Sequence, residues 1–226
     1  MLENVKNLQS HDKGLTFDVV LRTLRDELGY HVFHKVIDGP HFVPQHRERI
    51  IILGFRDPVA FDWAKVHLPE KGAHTLGDIL HHKKDEPFIP SDGSNYYDHA
   101  KNRALEKYTL TDNLWAYLQN YKKKHQAAAN GFGFGLLTPE SVTRKLSARY
   151  YKDGSEILFS QGNKKNPRRL TPRECARLMG LPDTFRVPVL DKRANQQPRE
   201  SAVVPMVRSV AKLMASLIFF RSRRAR

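Results

Sequence analysis

A pair of arginines beside an apolar segment is the first feature of the sequence that could do chemistry. Arg47 and Arg49 are one residue apart and lead directly into Ile50-Ile51-Ile52-Leu53. Side chains alternate between the two faces of a strand, so both guanidinium groups are predicted to point the same way from an extended strand. The apolar residues that follow predict a buried strand. The pair therefore indicates either cations held rigidly at the edge of a core or an ordinary solvated strand end.

The sequence provides weaker support for nucleophilic or metal chemistry. Cys175 is the single cysteine, and it falls within a predicted helix, where a cysteine is usually a small buried hydrophobe. No cysteine pair and no helical His-x-x-x-His spacing indicates zinc, and the histidines, including His81-His82, are scattered. We therefore predict that this chain contains neither a nucleophile nor a metal site.

The charge of the chain is strongly positive and unevenly distributed. The formal net charge is +14, and residues 161–226 contain 16 Lys and Arg against four Asp and Glu, whereas residues 1–160 contain 22 against 20. A basic balance concentrated in one third of a chain favours a polyanionic partner, and nucleic acid is the first candidate. The sequence therefore predicts contact with nucleic acid.

The remaining composition is typical of a soluble cytoplasmic protein. A single cysteine excludes an internal disulfide framework and suits a reducing compartment. Residues 1–14 are polar and show no signal-peptide pattern, and the apolar run at 213–220 is too short to cross a bilayer. We expect no membrane partner.

The elements that must position the arginine pair are predicted from periodicity. A helix with Thr16 as its N-cap runs to Leu28 and ends at Gly29. A strand at 30–37 and a turn at Asp38-Gly39-Pro40 lead to the Arg47–Arg49 strand. This order indicates part of an α/β sheet, because the helix and two hydrophobic strands need more sheet to cover them.

The rest of the chain is predicted to be a series of shorter elements. Helices are predicted at 111–128, after Thr171 and at 202–220. The second of them has Thr171 as N-cap, Pro172 in the first turn and Glu174 as the capping-box partner, and it ends at Gly180. The predicted strands cover 142–151 and 156–159, on either side of a turn at 152–154.

Three of these segments resemble, in the right order, motifs of DNA cytosine-C5 methyltransferases. They are Leu2-Glu3-Asn4-Val5, then Pro44-Gln45-His46-Arg47-Glu48-Arg49-Ile50, and then the segment from Arg169 to Gly180. The stretch from Ser141 to Gly154 is closer still to the bacterial Dcm type. Together the similarity runs over nearly all 226 residues.

The resemblance implies an α/β fold with three parts. Residues 1–56 would form part of the S-adenosylmethionine-dependent methyltransferase sheet. Residues 57–166 would form a mixed α+β target recognition domain. Residues 167–226 would supply helices that return to the catalytic domain, followed by a basic tail. It also implies a bacterial, cytoplasmic and nucleoid-associated protein whose partner is double-stranded DNA.

The resemblance also implies a chemistry. Family members flip a cytosine out of the duplex and transfer a methyl group from S-adenosylmethionine to carbon 5, after a cysteine has added to carbon 6. Glu3 would hold the nitrogen edge of the cytosine and share a proton with ring nitrogen 3. Arg49 would bind the cytosine carbonyl and Arg47 would face the DNA backbone. Asn4 would help to fix the Glu3 loop, and Gln45 would brace the turn.

The same resemblance assigns contacts with DNA and cofactor. The target would be a CCWGG-like site, and Ser201 would lie at the cofactor. The expected DNA contacts are Thr143, Arg144, Arg149, Lys152, Arg169 and Arg173.

The sequence departs from the family pattern at several places. It contains no Pro-Cys nucleophile loop and no glycine-rich cofactor loop, and Cys175 belongs to a helix motif instead. Arg199-Glu200-Ser201 replaces the family's Gly-Asn-Ser, and Lys145 stands where Dcm-type proteins have threonine.

Two hypotheses follow from these observations. The chain is the C-terminal portion of a cytosine methyltransferase, inactive without its nucleophile and cofactor half, as a truncated product or as one subunit of a split enzyme. Alternatively, it is a noncatalytic DNA-binding module derived from a methyltransferase, in which residues 57–220 read or shield a site.

Overall fold

The computed structural model describes residues 1–82, 86–90, 96–127, 134–146, 150, 157–187 and 201–224. The chain divides into two compact units. Unit 1 comprises Met1–Phe42, His46–Ala73 and Ala202–Arg226, and unit 2 comprises Val43–Gln45 and His74–Ser201. The division into functional parts at 1–56, 57–166 and 167–226 stays a prediction.

The described residues form eight short strands and four α-helices. In chain order, they are β1 (Leu2–Val5), α1 (Leu15–Arg22), β2 (His31–Ile37), β3 (Arg49–Phe55), β4 (Tyr97–Asp98), β5 (Arg103–Ala104), α2 (Asp112–Ala127), β6 (Gly135–Leu137), β7 (Ile157–Phe159), β8 (Arg168–Arg169), α3 (Pro172–Leu178) and α4 (Val204–Arg224).

A three-stranded antiparallel sheet organises unit 1. The strand order is β1-β3-β2, so β3 is the central strand. All residues of β3 except Gly54 are buried, whereas all four residues of β1 are exposed. Within the described part of the chain, β1 is therefore an open edge of this sheet.

Helix α1 covers one face of the sheet. Phe17 packs with Ile50 and Ile52, which alternation places on the same face of β3. A single π-helical turn at Thr23–Glu27 prolongs the helix, and Gly29 has a φ of 68°, so the predicted terminal glycine is confirmed. The predicted Thr16 N-cap is wrong, because the helix already begins at Leu15 and the Thr16 hydroxyl contacts His11 Nδ1 at 2.7 Å.

The opposite face of the sheet carries aromatic residues. Phe61 lies 5.2 Å from Phe33 and 5.9 Å from Phe55, measured between ring centroids.

Helix α4 also belongs to unit 1, where the Ser209 hydroxyl donates to the carbonyl of His67. Pro205 lies in its first turn, as predicted. None of the helices within the described residues is long and apolar enough to span a bilayer.

Unit 2 contains two small sheets and helices α2 and α3. Strands β4 and β5 form one antiparallel pair, and β7 pairs with β6 in parallel and with β8 in antiparallel fashion. Strand β7 confirms the strand predicted at 156–159. The strand predicted at 142–151 is wrong over 142–146, because Thr143 makes a single bridge to Gln45 and Leu146 is buried in the core. Residues 147–149 and 151–156, including the predicted turn at 152–154, lie outside the described residues.

The predicted capping box of α3 is confirmed atom by atom. The Thr171 hydroxyl accepts the Glu174 N–H at 3.2 Å, and the Glu174 carboxylate accepts the Thr171 N–H at 2.8 Å. The helix ends at Leu178, and Gly180 follows with a φ of 71°. Cys175 is 1% exposed and packs in the core with Leu178 and Tyr150, which confirms its interpretation as a small hydrophobe.

Glu174 is also the centre of a buried charged network. Its two oxygens each lie 2.7 Å from a terminal nitrogen of Arg168, in a bidentate pair, and one of them accepts the His81 N–H at 3.1 Å. Burial alone would raise the pKa of Glu174, but the charges of Arg168 and His81 and the hydrogen bonds from Arg168 and Thr171 lower it to about 2. The carboxylate is therefore charged and fully bonded in the folded state.

Glu86 forms a second network beside the first. It contacts His81 Nδ1 at 2.7 Å and Arg177 Nη2 at 2.8 Å, and Arg177 also pairs with Asp183 at 2.8 Å. Burial alone would raise the pKa of Glu86, but hydrogen bonds from His81 and Arg177 lower it to about 2. His81 links both networks, since its Nε2 lies 2.7 Å from the Thr171 hydroxyl.

We expect these two carboxylates to make unit 2 sensitive to acid. Each has a folded-state pKa depressed from 4.5 to about 2, so its stabilisation is present above pH 4.5 and is lost as the pH falls toward 2. The melting temperature, followed by circular dichroism, should therefore fall steeply between these two values. The Glu86→Gln variant should start from a lower melting temperature and show a shallower fall. A melting temperature that stays flat below pH 4.5 would contradict this expectation.

Candidate functional site

The β1–β3 ladder brings Glu3 and Arg49 together. Val5 pairs with Arg49 and Glu3 with Ile51, so Glu3 lies diagonally across from Arg49 on the same face of the sheet. Glu3 Oε1 lies 2.8 Å from Arg49 Nε, and the Arg49 side chain is 8% exposed against 28% for Glu3. Arg49 Nη1 also donates to the carbonyl of Glu48 at 2.9 Å. The result is a fixed guanidinium beside a more accessible carboxylate.

Arg47 lies outside the strand, contrary to the prediction. Strand β3 begins at Arg49, because its ladder with β2 ends at the Ile37–Arg49 pair and the chain then turns at Gly39–His41. Arg47 is nevertheless buried, with 4% of its surface exposed. Burial and the positive charge of Arg49 lower the pKa of the Arg47 guanidinium to about 10, against the opposing effect of Glu3. The two arginines therefore both lie near the carboxylate of Glu3.

The two predicted supporting residues lie in different settings. Asn4 lies on β1 opposite Ile50 rather than in a loop, and its side-chain oxygen accepts the N–H of Val5 at 2.8 Å. Gln45 is completely buried in unit 2, where it forms a backbone bridge with Thr143. Neither side-chain amide atom of Gln45 has a hydrogen-bond partner within the described residues.

The predicted DNA contacts belong to unit 2 and differ in accessibility. Arg144 is exposed, and Arg169 is partly buried, with Nη2 donating to the carbonyl of Lys107 at 3.3 Å. Thr143 is 1% exposed, and its hydroxyl donates to the carbonyl of Arg144. Arg149 and Lys152 lie outside the described residues.

Arg173 does not fit its expected role at the DNA. Its side chain is 1% exposed and donates to the carbonyl of Phe185 at 2.8 Å, so its guanidinium serves the interior of unit 2. A buried and bonded cation cannot reach a phosphate without rearrangement, so Arg173 is not among the proposed DNA contacts.

The residues described here do not form a cofactor site by themselves. Ser201 is partly buried, and it is the single cofactor contact expected in this chain; the neighbouring Arg199 and Glu200 lie outside the described residues. One serine cannot hold a molecule the size of S-adenosylmethionine.

Asp38 is a site residue that the sequence analysis treated only as part of a turn. Its carboxylate accepts the backbone N–H groups of both Gly39 and Arg47. The signal available in the sequence was an aspartate directly after a strand and before Gly-Pro, a position where aspartate commonly bonds to nearby backbone. The bond to Arg47 is not local, so the sequence could not indicate it.

Comparison with known proteins assigns the family. The family model for C-5 cytosine-specific DNA methylase matches residues 1–216 of the chain. The chain belongs to this family. The matched residues include the three motifs around Glu3, Arg49 and Glu174.

Curated relatives are much longer than this chain. The DNA-cytosine methyltransferase of Escherichia coli (strain K12) is 45% identical over 245 residues, which cover 95% of this chain and 48% of the relative. The Type II methyltransferase M.DsaV of Dactylococcopsis salina is 44% identical, over 96% of this chain and 57% of the relative. The chain thus spans about half the length of these methylases.

Solved structures show the same fold at low sequence identity. The S. pombe Dnmt2 methyltransferase superposes with a TM-score of 0.68 at 17% identity, over 95% of this chain and 63% of that one. The Entamoeba histolytica methyltransferase EhMeth superposes with a TM-score of 0.62 at 17% identity, over 95% and 60% of the two chains. These similarities support the mixed α/β content predicted for this chain.

Proposed function

We propose that this chain supplies the cytosine-orienting wall and the target recognition domain of a DNA cytosine-C5 methyltransferase. The observation that carries the proposal is the Glu3–Arg49 pair, at 2.8 Å on a rigid ladder beside the buried Arg47. The nucleophile and most of the cofactor site would come from methyltransferase sequence that these 226 residues do not contain. The single cysteine is buried inside α3 and cannot attack a base.

The chemistry of cytosine matches the two groups of this pair. The pairing edge of cytosine presents an amino donor, a ring nitrogen acceptor and a carbonyl acceptor, in that order. A carboxyl group at Glu3 would accept from the amino group and share a proton with the ring nitrogen, while Arg49 would donate to the carbonyl oxygen. The proton at the ring nitrogen would stabilise the negative charge that builds when a nucleophile adds to the ring.

The geometry of the pair makes Glu3 the more accessible partner and Arg49 the more enclosed one. Arg49 is held by Glu3 and by the Glu48 carbonyl and is almost fully buried. Glu3 lies on an exposed edge strand, and its carboxylate has a second oxygen besides the one that contacts Arg49. A base arriving at this edge could therefore bind Glu3 without dismantling the ion pair.

The open edge of unit 1 supports a larger catalytic sheet. Leu2 and Val5 are 53% and 43% exposed on opposite faces of β1, although their neighbours on β3 are buried. Leu15 and Val19 of α1 are also about half exposed, at 59% and 49%. Burial of such surface is favourable by about 25 cal/mol per Å². We infer that this apolar surface of β1 and α1 packs against the remainder of the methyltransferase, in the same polypeptide or in a separate subunit.

The proposed substrate is double-stranded DNA with a CCWGG-like site. The excess of positive charge in residues 161–226, the exposed Arg144 and the similarity of residues 141–154 to the Dcm type support this choice. Arg47 would face the DNA backbone, and Arg149 and Lys152 remain expected contacts within the recognition region.

A reconstitution experiment tests the proposal. The purified chain is incubated with labelled S-adenosylmethionine and duplex DNA, either alone or with the N-terminal half of the E. coli relative produced as a separate polypeptide. We expect no methyl transfer by the lone chain and transfer in the mixture, on a duplex containing CCTGG but not on one with that site scrambled. The lone chain is also expected to associate or precipitate, because its apolar face is uncovered.

Two results would contradict the proposal. Methyl transfer by the lone chain would show that the nucleophile and cofactor site lie within these residues. A monomer without activity in the mixture, whose DNA binding weakens steeply with salt and shows no site preference, would instead favour a noncatalytic DNA-binding module.

A further inference from the structure

The side chain of Asp38 lies where the ladder between β2 and β3 ends. Ile37 is the last residue of β2, and it pairs with Arg49. If the ladder continued in the same register, Gly39 would lie opposite Arg47. The chain instead turns away at Gly39–His41, so β2 does not hold the backbone of Arg47.

One oxygen of the Asp38 carboxylate takes the place of the hydrogen bonds that the ladder with β2 does not provide here. Oδ1 accepts the N–H of Gly39 at 2.9 Å and the N–H of Arg47, nine residues after Asp38, also at 2.9 Å. Aspartate commonly bonds to backbone N–H groups within a few residues of itself. The additional bond to Arg47 closes the connection between the two strands.

The second oxygen of Asp38 faces two exposed side chains. Oδ2 lies 3.3 Å from His46 Nδ1 and 3.9 Å from Lys71 Nζ, and these side chains are 66% and 58% exposed. Ion pairs of this kind contribute little to stability, because water screens them. The structural contribution of Asp38 therefore lies mainly in Oδ1, which an asparagine could also provide.

Arg47 requires a fixed backbone to keep its position. The side chain is 4% exposed and lies near the like charge of Arg49. Burial and this charge oppose its protonated state, whereas the charge of Glu3 favours it, so the position of the guanidinium relative to these two side chains matters. Groups that act on a substrate need such support to stay within a fraction of an ångström of their working position.

We propose that Asp38 is a positioning residue for Arg47. By bonding the N–H groups of Gly39 and Arg47 through one oxygen, it fixes the backbone from which the Arg47 side chain projects near the Glu3–Arg49 pair. The consequence for DNA binding rests on the proposed function, in which Arg47 faces the DNA backbone. The consequence for the Arg47 backbone does not depend on it.

Amide hydrogen exchange of the full chain tests the structural step, measured on a dilute sample by mass spectrometry with fragmentation to single residues. In the Asp38→Ala variant, the Arg47 N–H should exchange about tenfold faster, because one hydrogen bond is lost. The Asp38→Asn variant retains the acceptor oxygen and should match the unmodified chain, and the Ile51 N–H in β3 should not change in either. An unchanged Arg47 exchange rate in Asp38→Ala would overturn the proposal.

A matched control comes from the same unit. Asp62 Oδ1 accepts the N–H of Ala64 at 2.9 Å, a bond of the same kind and length in another turn. The Asp62→Ala variant should leave the Arg47 exchange rate unchanged. Faster exchange at Arg47 in this variant would show a general loosening of unit 1 and would overturn a specific role for Asp38.

Binding to a duplex containing CCTGG tests the functional step in a double-mutant cycle. Asp38→Ala should weaken binding about tenfold when Arg47 is present and have no effect in the Arg47→Ala background. An equal loss in both backgrounds would show that Asp38 acts through stability alone, and the positioning role would fall. If Arg47→Ala alone leaves binding unchanged, the DNA role of Arg47 in the proposed function fails, while hydrogen exchange still decides the role of Asp38.

Discussion

Replacing Glu174 with glutamine is expected to destabilise unit 2 severely. Glu174 is completely buried, and its carboxylate holds both terminal nitrogens of Arg168 at 2.7 Å as well as the N–H groups of Thr171 and His81. Glutamine has the same shape, but it is neutral and presents an NH2 group where Arg168 requires an acceptor. The buried guanidinium therefore loses the opposite charge and one of its two acceptor oxygens. Breaking a buried ion pair in this way typically costs about 3–5 kcal/mol.

Such a loss is large against the stability of most proteins, which is about 5–15 kcal/mol. For a chain of this size, it corresponds to a fall in melting temperature of roughly 6–20 °C. Circular dichroism or differential scanning calorimetry on the Glu174→Gln variant measures it directly.

The Glu106–Lys165 pair provides the control in the same unit. The Lys165 ammonium lies 3.0 Å from Glu106, a distance similar to that in the buried pair, but the Glu106 side chain is 58% exposed. Glu106→Gln should cost less than about 1 kcal/mol, since exposed pairs are screened by water. Equal shifts in melting temperature for the two variants would contradict the importance that we assign to burial.

Replacing Glu3 with glutamine is expected to abolish most of the catalytic activity of the reconstituted enzyme while leaving DNA binding largely intact. Glutamine retains an acceptor oxygen for Arg49, so the geometry of the ladder should persist. It cannot share a proton with the ring nitrogen of the cytosine as charge develops. Loss of a positioned proton donor typically lowers a rate by about 10²–10⁴-fold, and labelled methyl transfer onto duplex DNA measures this loss.

Glu48 offers a matched control for Glu3. It lies beside Arg49 in the sequence, and its carboxylate pairs with Lys6 at 2.8 Å, with 47% of its side chain exposed. Glu48→Gln removes a carboxylate from the same unit without altering the Glu3–Arg49 pair, so the methyl-transfer rate should change little. Comparable losses of rate in Glu3→Gln and Glu48→Gln would argue against a specific proton role for Glu3.

Local patterns in the sequence were sufficient for several elements. The Thr171–Glu174 capping box, the terminal glycine at 29 and the strands at 31–37 and 49–55 were predicted within a residue or two. In each case, the deciding interactions lie within a few residues along the chain, so the residue types alone indicate them. The motifs also led to the correct family, because family membership depends on the order of residues rather than on their contacts.

Local patterns failed where backbone pairing stops or changes. Thr16 was predicted to cap α1, yet the N-cap is Gly14, two residues earlier. Arg47 was predicted within the strand, yet the turn at Gly39 ends the ladder before that residue is reached. Side-chain alternation predicts the face of the strand on which each residue lies. It does not predict the residue at which the neighbouring strand stops pairing.

The sequence by itself indicated the residues proposed for chemistry, namely Glu3, Arg47 and Arg49, and it placed the one cysteine within a helix motif. Tertiary structure decided how each charge is used. It placed Glu3 diagonally across from Arg49 and brought the Asp38 carboxylate to the N–H of Arg47. It also enclosed Arg173 and Glu174 in the interior of unit 2. The arginines acquire different roles because their burial and their partners depend on contacts between segments far apart in the chain. The same holds for Glu174, which accepts the N–H of His81.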